Sequence, residues 1–139
     1  MTIPQLPSTL SAHMANLLQP LQSFMPSLAQ AWALLSVAIA LEVAGTTCMK
    51  LSQGFTHLAP SILMFSFYGL AFACNTLATK TLDLSITYAV WSGVGTVATA
   101  AIGMLYFREP ATALKLACIG LIVIGVFGLH SVSRMQASA

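Results

Sequence analysis

Trp32-Ala33-Leu34-Leu35-Ser36-Val37-Ala38-Ile39-Ala40-Leu41-Glu42-Val43-Ala44-Gly45-Thr46-Thr47-Cys48-Met49 carries one carboxyl, Glu42, and no other charge. At the rise of a helix the stretch is about 27 Å long, close to the thickness of a bilayer's hydrocarbon core, and Glu42 falls near its middle. A charged side chain at that depth costs at least about 2.5 to 3.5 kcal/mol. Something must offset that cost. Passage of a proton or a cation through the site is the reading that follows from a lone intramembrane acid; a permanently protonated or paired structural Glu is the alternative.

The rest of the chain has the same character. Of its 139 residues 58% are apolar and 6% charged, with mean hydropathy +0.87, whereas soluble domains are about 25% charged. An all-α membrane protein of one domain is expected. The net charge of +2 is small and scattered, which argues against a nucleic-acid partner. Cys48, Cys74 and Cys118 each lie within an apolar segment without paired spacing or neighbouring His, so they read as small core residues rather than a metal site or disulfide framework. No cofactor is implied. The three acids and scattered histidines assemble no nucleophile and base, so an enzyme is not indicated.

Four apolar segments, about 32–49, 59–79, 84–107 and 111–129, each approach the ~20 residues of a spanning helix. Continuous apolar runs of this length satisfy their own backbone groups as helices; a barrel strand would alternate over about ten residues. Polar joints at 50–57, 80–83 and 108–110 separate them, and Pro60 suits a first helical turn. Short joints make successive helices antiparallel, so a four-transmembrane-helix bundle is expected over 31–134, followed by a tail over 135–139. Residues 1–30 carry Pro4, Pro7, Pro20 and Pro26 and no Lys, Arg, Asp or Glu. They read as a mobile or loosely interfacial extension, not a secretory signal, which needs a basic start.

Orientation is poorly specified. One face of the membrane receives Lys80 and Arg134, the other Lys50, Arg108 and Lys115, almost no bias for the positive-inside rule to act on. Insertion in both directions is therefore expected, and a site shared by two oppositely oriented copies would give an acid and an organic ligand more room than four helices alone.

On the first helix Ala38, Glu42, Gly45, Thr46 and Met49 recur at three- and four-residue steps and share a face. Burial disfavours the charged form of a carboxyl, so Glu42 can hold a proton until a cation enters and replaces it. Competition for one site couples two opposing fluxes. Tyr88, Trp91, Ser92 and Gly95 form a stripe on the third helix, and Tyr68 adds a ring from the second. Aromatic faces attract a desolvated organic cation by about 2 kcal/mol or more; membrane Trp and Tyr also serve as interface anchors. Small residues from Ser92 to Gly103 suit close helix packing or a flexible point near Gly93 and Gly95. On the fourth helix Cys118, Leu121, Gly125 and Gly128 lie near one stripe suited to helix pairing. Asn75 and His130 lie near span ends and read as solvated.

Glu42-Val43-Ala44-Gly45-Thr46-Thr47, Met49-Lys50, Ser52-x-Gly54-Phe55-Thr56, Pro60-Ser61 and Ile86-Thr87-Tyr88-Ala89-Val90-Trp91-Ser92-Gly93-Val94-Gly95 together resemble the small multidrug resistance family of bacterial four-helix transporters, over about 32–132. The resemblance implies an antiparallel, dual-topology homodimer in the lipid of the bacterial inner membrane, exchanging protons for an organic cation substrate. It implies Glu42 as the proton and substrate site and Tyr68, Tyr88 and Trp91 as aromatic walls. Ala38, Gly45 and Thr46 would form the pocket floor, and the helix of Cys118, Leu121, Gly125 and Gly128 the dimer contact. Guanidinium-exporting members tend to carry Gly three residues before the acid and Trp three after; Ile39 and Gly45 stand there, and Ala38, Gly45 and Tyr68 resemble the quaternary-ammonium branch. Phe107-Arg108-Glu109-Pro110 is similar instead to the guanidinium branch, Cys118 stands where Gly is frequent, and typical members lack the leader. Multidrug or quaternary-ammonium efflux is the resulting expectation. Export of guanidinium or another small cation, and a partner subunit of a heterodimeric transporter, remain as alternatives.

Overall fold

A computed structural model describes residues 19–20 and 24–137, in backbone alone at 130 and 132–137. The expected mobile tail lies, for 1–18 and 21–23, outside the described residues. Four long helices follow one another: α1 Leu28–Leu51, α2 Leu58–Ala78, α3 Leu84–Leu105 and α4 Ala113–Ala137. The first three are long and apolar enough to cross a membrane, and α4 contributes a shorter apolar stretch, Ala113–Leu129.

Helix α1 starts four residues before the apolar run that announced it. Ser27 accepts a hydrogen bond from the Gln30 amide at 3.3 Å while the Gln30 side chain accepts from the Ser27 amide at 2.8 Å, so two otherwise orphaned donors are satisfied reciprocally. The signal was present as Ser27-x-x-Gln30. Residues 28–30, expected at the end of the extension, thus form the first turn of α1. At the other end of the chain the α4 backbone runs on to Ala137, into the expected tail.

Two sets of polar contacts tie the ends of the bundle. Where α1 begins, Lys80 Nζ donates to the Phe24 carbonyl at 3.2 Å and Thr81 Oγ1 to that of Pro26 at 2.7 Å, so the α2–α3 turn and the entry to α1 share one end. At the opposite end Lys50, in the last turn of α1, and Lys115, in the first turn of α4, both reach the Glu109 carboxylate. Gln53, Gly54 and Phe55 turn the chain from α1 to α2 with φ of 47°, 70° and 69°. Gly54 takes that conformation freely, whereas each non-glycine costs on the order of 1 kcal/mol or more. Buried Ser52, accepting from the His57 amide at 3.2 Å, and the stacked Phe55–Phe65 pair hold the turn.

Helix α1 is the centre of the molecule. It packs most extensively against α2 and also against α3, which in turn carries α4. Ala31, Leu35, Ile39 and Val43, one helical turn apart, build the core with Ala78 and Leu82, and Trp32, Val90, Trp91, Ala98 and Ile102 close over it. Outward faces carry exposed apolar side chains such as Leu58, Phe65, Leu105 and Leu121, as lipid-facing surfaces do.

Candidate functional site

Glu42 is half-buried on the inward side of α1. Its Oε2 is covered and, among the described residues, has no hydrogen-bond partner. The carboxylate lies against the backbone of α3 at Gly95, where a Cβ would come within 2.6 Å of Oε2. Any larger residue would occupy the space the acid uses. Ala38, fully buried, stands one turn before Glu42, and Gly45 one turn after it.

Gly45 and Thr46 join α1 to Tyr68 of α2. A Cβ on Gly45 would sit 3.5 Å from the Tyr68 ring, so the ring lies directly on the helix there. Thr46 Oγ1 is 2.9 Å from the Glu42 carbonyl, to which it donates, and 3.0 Å from Tyr68 Oη. A hydroxyl has one proton to give. With that of Thr46 engaged by the carbonyl, the Tyr68 hydroxyl is the donor between the two. Tyr68 is thereby held one turn from Glu42 by an oxygen that is itself pinned to α1.

Trp91 lies on α3 one turn before Gly95. Its ring meets Phe72 edge-on at 5.5 Å and Tyr88 edge-on at 6.1 Å, the arrangement that aromatic quadrupoles favour. Trp91 Nε1, like Glu42 Oε2, is buried without a partner. Tyr88 is not brought to Glu42 within one chain. It is 62% exposed, lies about 10 Å along the axis from Gly95, and lines an open cleft with Asp83 and Leu129. Ala38, Glu42, Gly45 and Thr46 thus lie together on α1, against Gly95 of α3 and Tyr68 of α2, while the rings expected as an aromatic wall are divided. Phe72 joins it unforeseen; its position one turn after Tyr68 was the available sign.

On α4, Cys118 and Leu121 are exposed, and among the described residues no neighbouring helix comes within 4 Å of a Cβ built at Gly125 or Gly128. Gly93, by contrast, faces Val126 of α4 so closely that a Cβ would overlap its Cγ2. Asn75 corrects the expectation of a solvated side chain. Its Oδ1 is buried and unpartnered, because the end of α2 that carries it is covered in the core, as buried Ala78 and Leu82 show.

A cavity of about 400 Å³ opens one turn beyond Glu42, lined by Thr46, Thr99, Gly103, Phe107 and the Lys50–Glu109–Lys115 cluster. Hydrogen bonds from Lys50 and then Lys115 hold the Glu109 carboxyl below the ordinary carboxylate value. Among the described residues no group of His, Cys, Asp and Glu is placed to hold a metal ion.

The family model described as Small Multidrug Resistance protein matches residues 30–122. Among curated proteins the chain is 46% identical over 107 residues to an uncharacterized membrane protein, YvaE, of Bacillus subtilis, covering 77% of this chain and 90% of that one. It is 41% identical over 106 residues to the quaternary ammonium compound-resistance protein QacF of Klebsiella aerogenes, with 76% and 96% covered. A guanidinium exporter of Salmonella typhimurium is 38% identical over 98 residues, with 70% and 93% covered. Long apolar helices, an acid in the middle of the first and relatives aligned over nearly their whole length lead to one conclusion: the chain belongs to the small multidrug resistance family and is a multi-pass efflux transporter of the bacterial inner membrane, not an enzyme.

Proposed function

We propose that this transporter exports lipophilic and quaternary ammonium cations in exchange for protons, and that Glu42 is the group both compete for. The observation that carries the reading is Glu42 Oε2, buried mid-span without a hydrogen-bond partner. Buried polar atoms in folded proteins are almost always paired, and a proton or a bound cation supplies what this one lacks. A proton neutralises the carboxyl; a cation entering the site offsets its charge and releases the proton. Because one group serves both, the two are carried in turn and never together.

The surroundings fit such a guest. Tyr68 is bonded to Thr46, one turn from the acid, and Trp91, one turn before the Gly95 that meets the acid, packs against Phe72; a desolvated organic cation gains about 2 kcal/mol or more over an aromatic face. Gly45, not a bulky residue, leaves the Tyr68 ring in place. Relatives described as quaternary ammonium compound-resistance proteins agree with this substrate class.

The working unit is an antiparallel homodimer. Within one chain Tyr88 stands apart from Glu42, and among the described residues the stripe of Cys118, Leu121, Gly125 and Gly128 is left exposed. A second copy of opposite orientation would bring another Glu42 and set of rings to the first and give the α4 stripe a surface of its own kind to pack on. Small residues permit such close approach.

Proton release on addition of tetraphenylphosphonium to purified protein, and the currents it drives in proteoliposomes, test the proposal. The wild type is expected to release protons and give current. Glu42→Gln does neither while remaining a dimer. Full current from Glu42→Gln would overturn the reading; current from guanidinium and none from tetraphenylphosphonium would replace the substrate class.

A further inference from the structure

The cavity that begins at Thr46 ends in a cation site that the protein itself fills. Lys50 Nζ is hydrogen-bonded to the Glu109 carboxylate and lies 4.4 Å from the centre of the Phe107 ring. A carboxylate and an aromatic face around one ammonium is an arrangement that recognises cations in general. Glu109 and Phe107 both line the cavity of about 400 Å³ whose inner end is Thr46, the residue bonded to the Glu42 carbonyl.

The site is shaped by the backbone. The chain folds back after α3, with the Glu109 amide donating to the Gly103 carbonyl at 3.0 Å. The carboxylate rests where Gly103 has no side chain, Oε2 lying 2.8 Å from the position of a Cβ. Lys115 donates to that same oxygen at 3.2 Å, so Glu109 keeps a partner when Lys50 leaves. With Lys50 turned out into water, the remaining pair is neutral and accepts a single positive charge as it accepted that of Lys50.

Lys50 is tethered here but not trapped. Its side chain is 48% exposed, and exposed ion pairs add little net stability because water and salt compete for both members. A guest from solution therefore displaces a weak contact. A lipophilic cation has the further advantage of gaining apolar contact in the cavity, where the ammonium of Lys50 is strongly hydrated.

We propose that Glu109 and Phe107 form an outer subsite for organic cations at the mouth of the cavity, with Lys50 as the resident competitor that a guest displaces before it reaches Glu42. The inference rests on the reading of Glu42 as the inner station. It adds a second binding position on the same route, and it makes Lys50 a residue that lowers, not raises, occupancy of the mouth.

The test uses full-length protein in lipid nanodiscs carrying Glu42→Gln, which silences the inner station. Tetraphenylphosphonium is titrated while the amide resonances of Gly103 and Glu109 are followed. A weak, saturable shift at both is expected. Adding Lys50→Met should tighten it about fivefold, the scale on which one exposed ion pair competes, and adding Glu109→Gln should weaken it by at least as much. Absence of a saturable shift, or an affinity unchanged by Glu109→Gln, overturns the proposal. If the Glu109→Gln protein fails to assemble, an affinity unchanged or weakened by Lys50→Met overturns it instead. Proton release from the wild type separates the two claims. Release with silent amides at Gly103 and Glu109 removes only the outer subsite, and responsive amides without release remove only the inner reading.

Discussion

Glu42 of α1 and Gly95 of α3 are in direct contact, the carboxylate oxygen Oε2 lying 2.6 Å from where a Cβ on Gly95 would be. The missing side chain on one helix is what admits the acid on the other. This relationship separates folding from function. In Gly95→Ala the added methyl meets the free end of a flexible side chain, which can rotate away, and alanine favours a helix over glycine by about 0.5 to 1 kcal/mol. The variant should fold as the wild type does, yet bind tetraphenylphosphonium at least about tenfold more weakly, since a displacement of about 1 Å in a preorganised site has effects of that order. Thermal melting and equilibrium binding measured on the same preparation check both halves.

Gly93 presents the opposite case. A Cβ there would lie 2.3 Å from Val126 Cγ2, and a β-branched side chain has little rotamer freedom with which to yield. Gly93→Ala should force α3 and α4 apart and cost about 1 to 3 kcal/mol. Adding Val126→Ala should restore most of the loss. A denaturation series on the two single variants and the double variant reads the coupling directly.

Removing the Tyr68 hydroxyl probes the link between α1 and α2. Tyr68→Phe leaves Thr46 bonded to the Glu42 carbonyl and deletes only the bond between the two side chains. The stability cost should be about 0.5 to 1.5 kcal/mol. Because the ring loses its tether one turn from Glu42, cation affinity should fall as well. Thr46→Val, which removes the same bond from the other side, should give a similar loss of affinity, measured by the same titration.

The Glu109 cluster carries a pH dependence of defined sign. Hydrogen bonds from Lys50 and then Lys115 lower the pKa of Glu109 from the ordinary value of 4.5. A carboxyl with a depressed folded-state value contributes stability that is fully present above its unfolded value and is lost as the pH falls through the folded one. The cluster's contribution should hold from neutral pH down to about 4.5 and disappear in more acid solution. Because the cluster is exposed, the melting temperatures of the wild type and Glu109→Gln should differ only slightly at pH 7 and low salt and should converge at the acid end; a gap that widens on acidification would refute the assignment.

Much of the bundle was legible one segment at a time. The apolar runs located both ends of α1, α2 and α3 to within four residues and the start of α4 to within two, although the α4 backbone runs eight residues past its run, and Ser27-x-x-Gln30 held an additional signal for the start of α1 that hydropathy alone passes over. Glu42 could be placed at mid-span by counting residues, and the small residues Gly93 and Gly95 announced close approach without saying to what. Asn75 was misjudged because distance from a span end measures depth along the helix and not coverage from the side. The Lys50–Glu109 contact, across 59 residues of sequence, had no local signal at all.

Sequence alone therefore determined how many helices cross, how deep the acid lies and which family its motifs belong to, since span length and residue order are properties of a single line of chain. Tertiary structure decided which glycine receives Glu42, which ring Thr46 holds and which lysines Glu109 gathers. A soluble helix advertises its inner face by the contrast between apolar and polar sides. These helices are apolar nearly all round, so their rotation is set by many small van der Waals contacts with neighbours, and those contacts exist only when the helices are packed together.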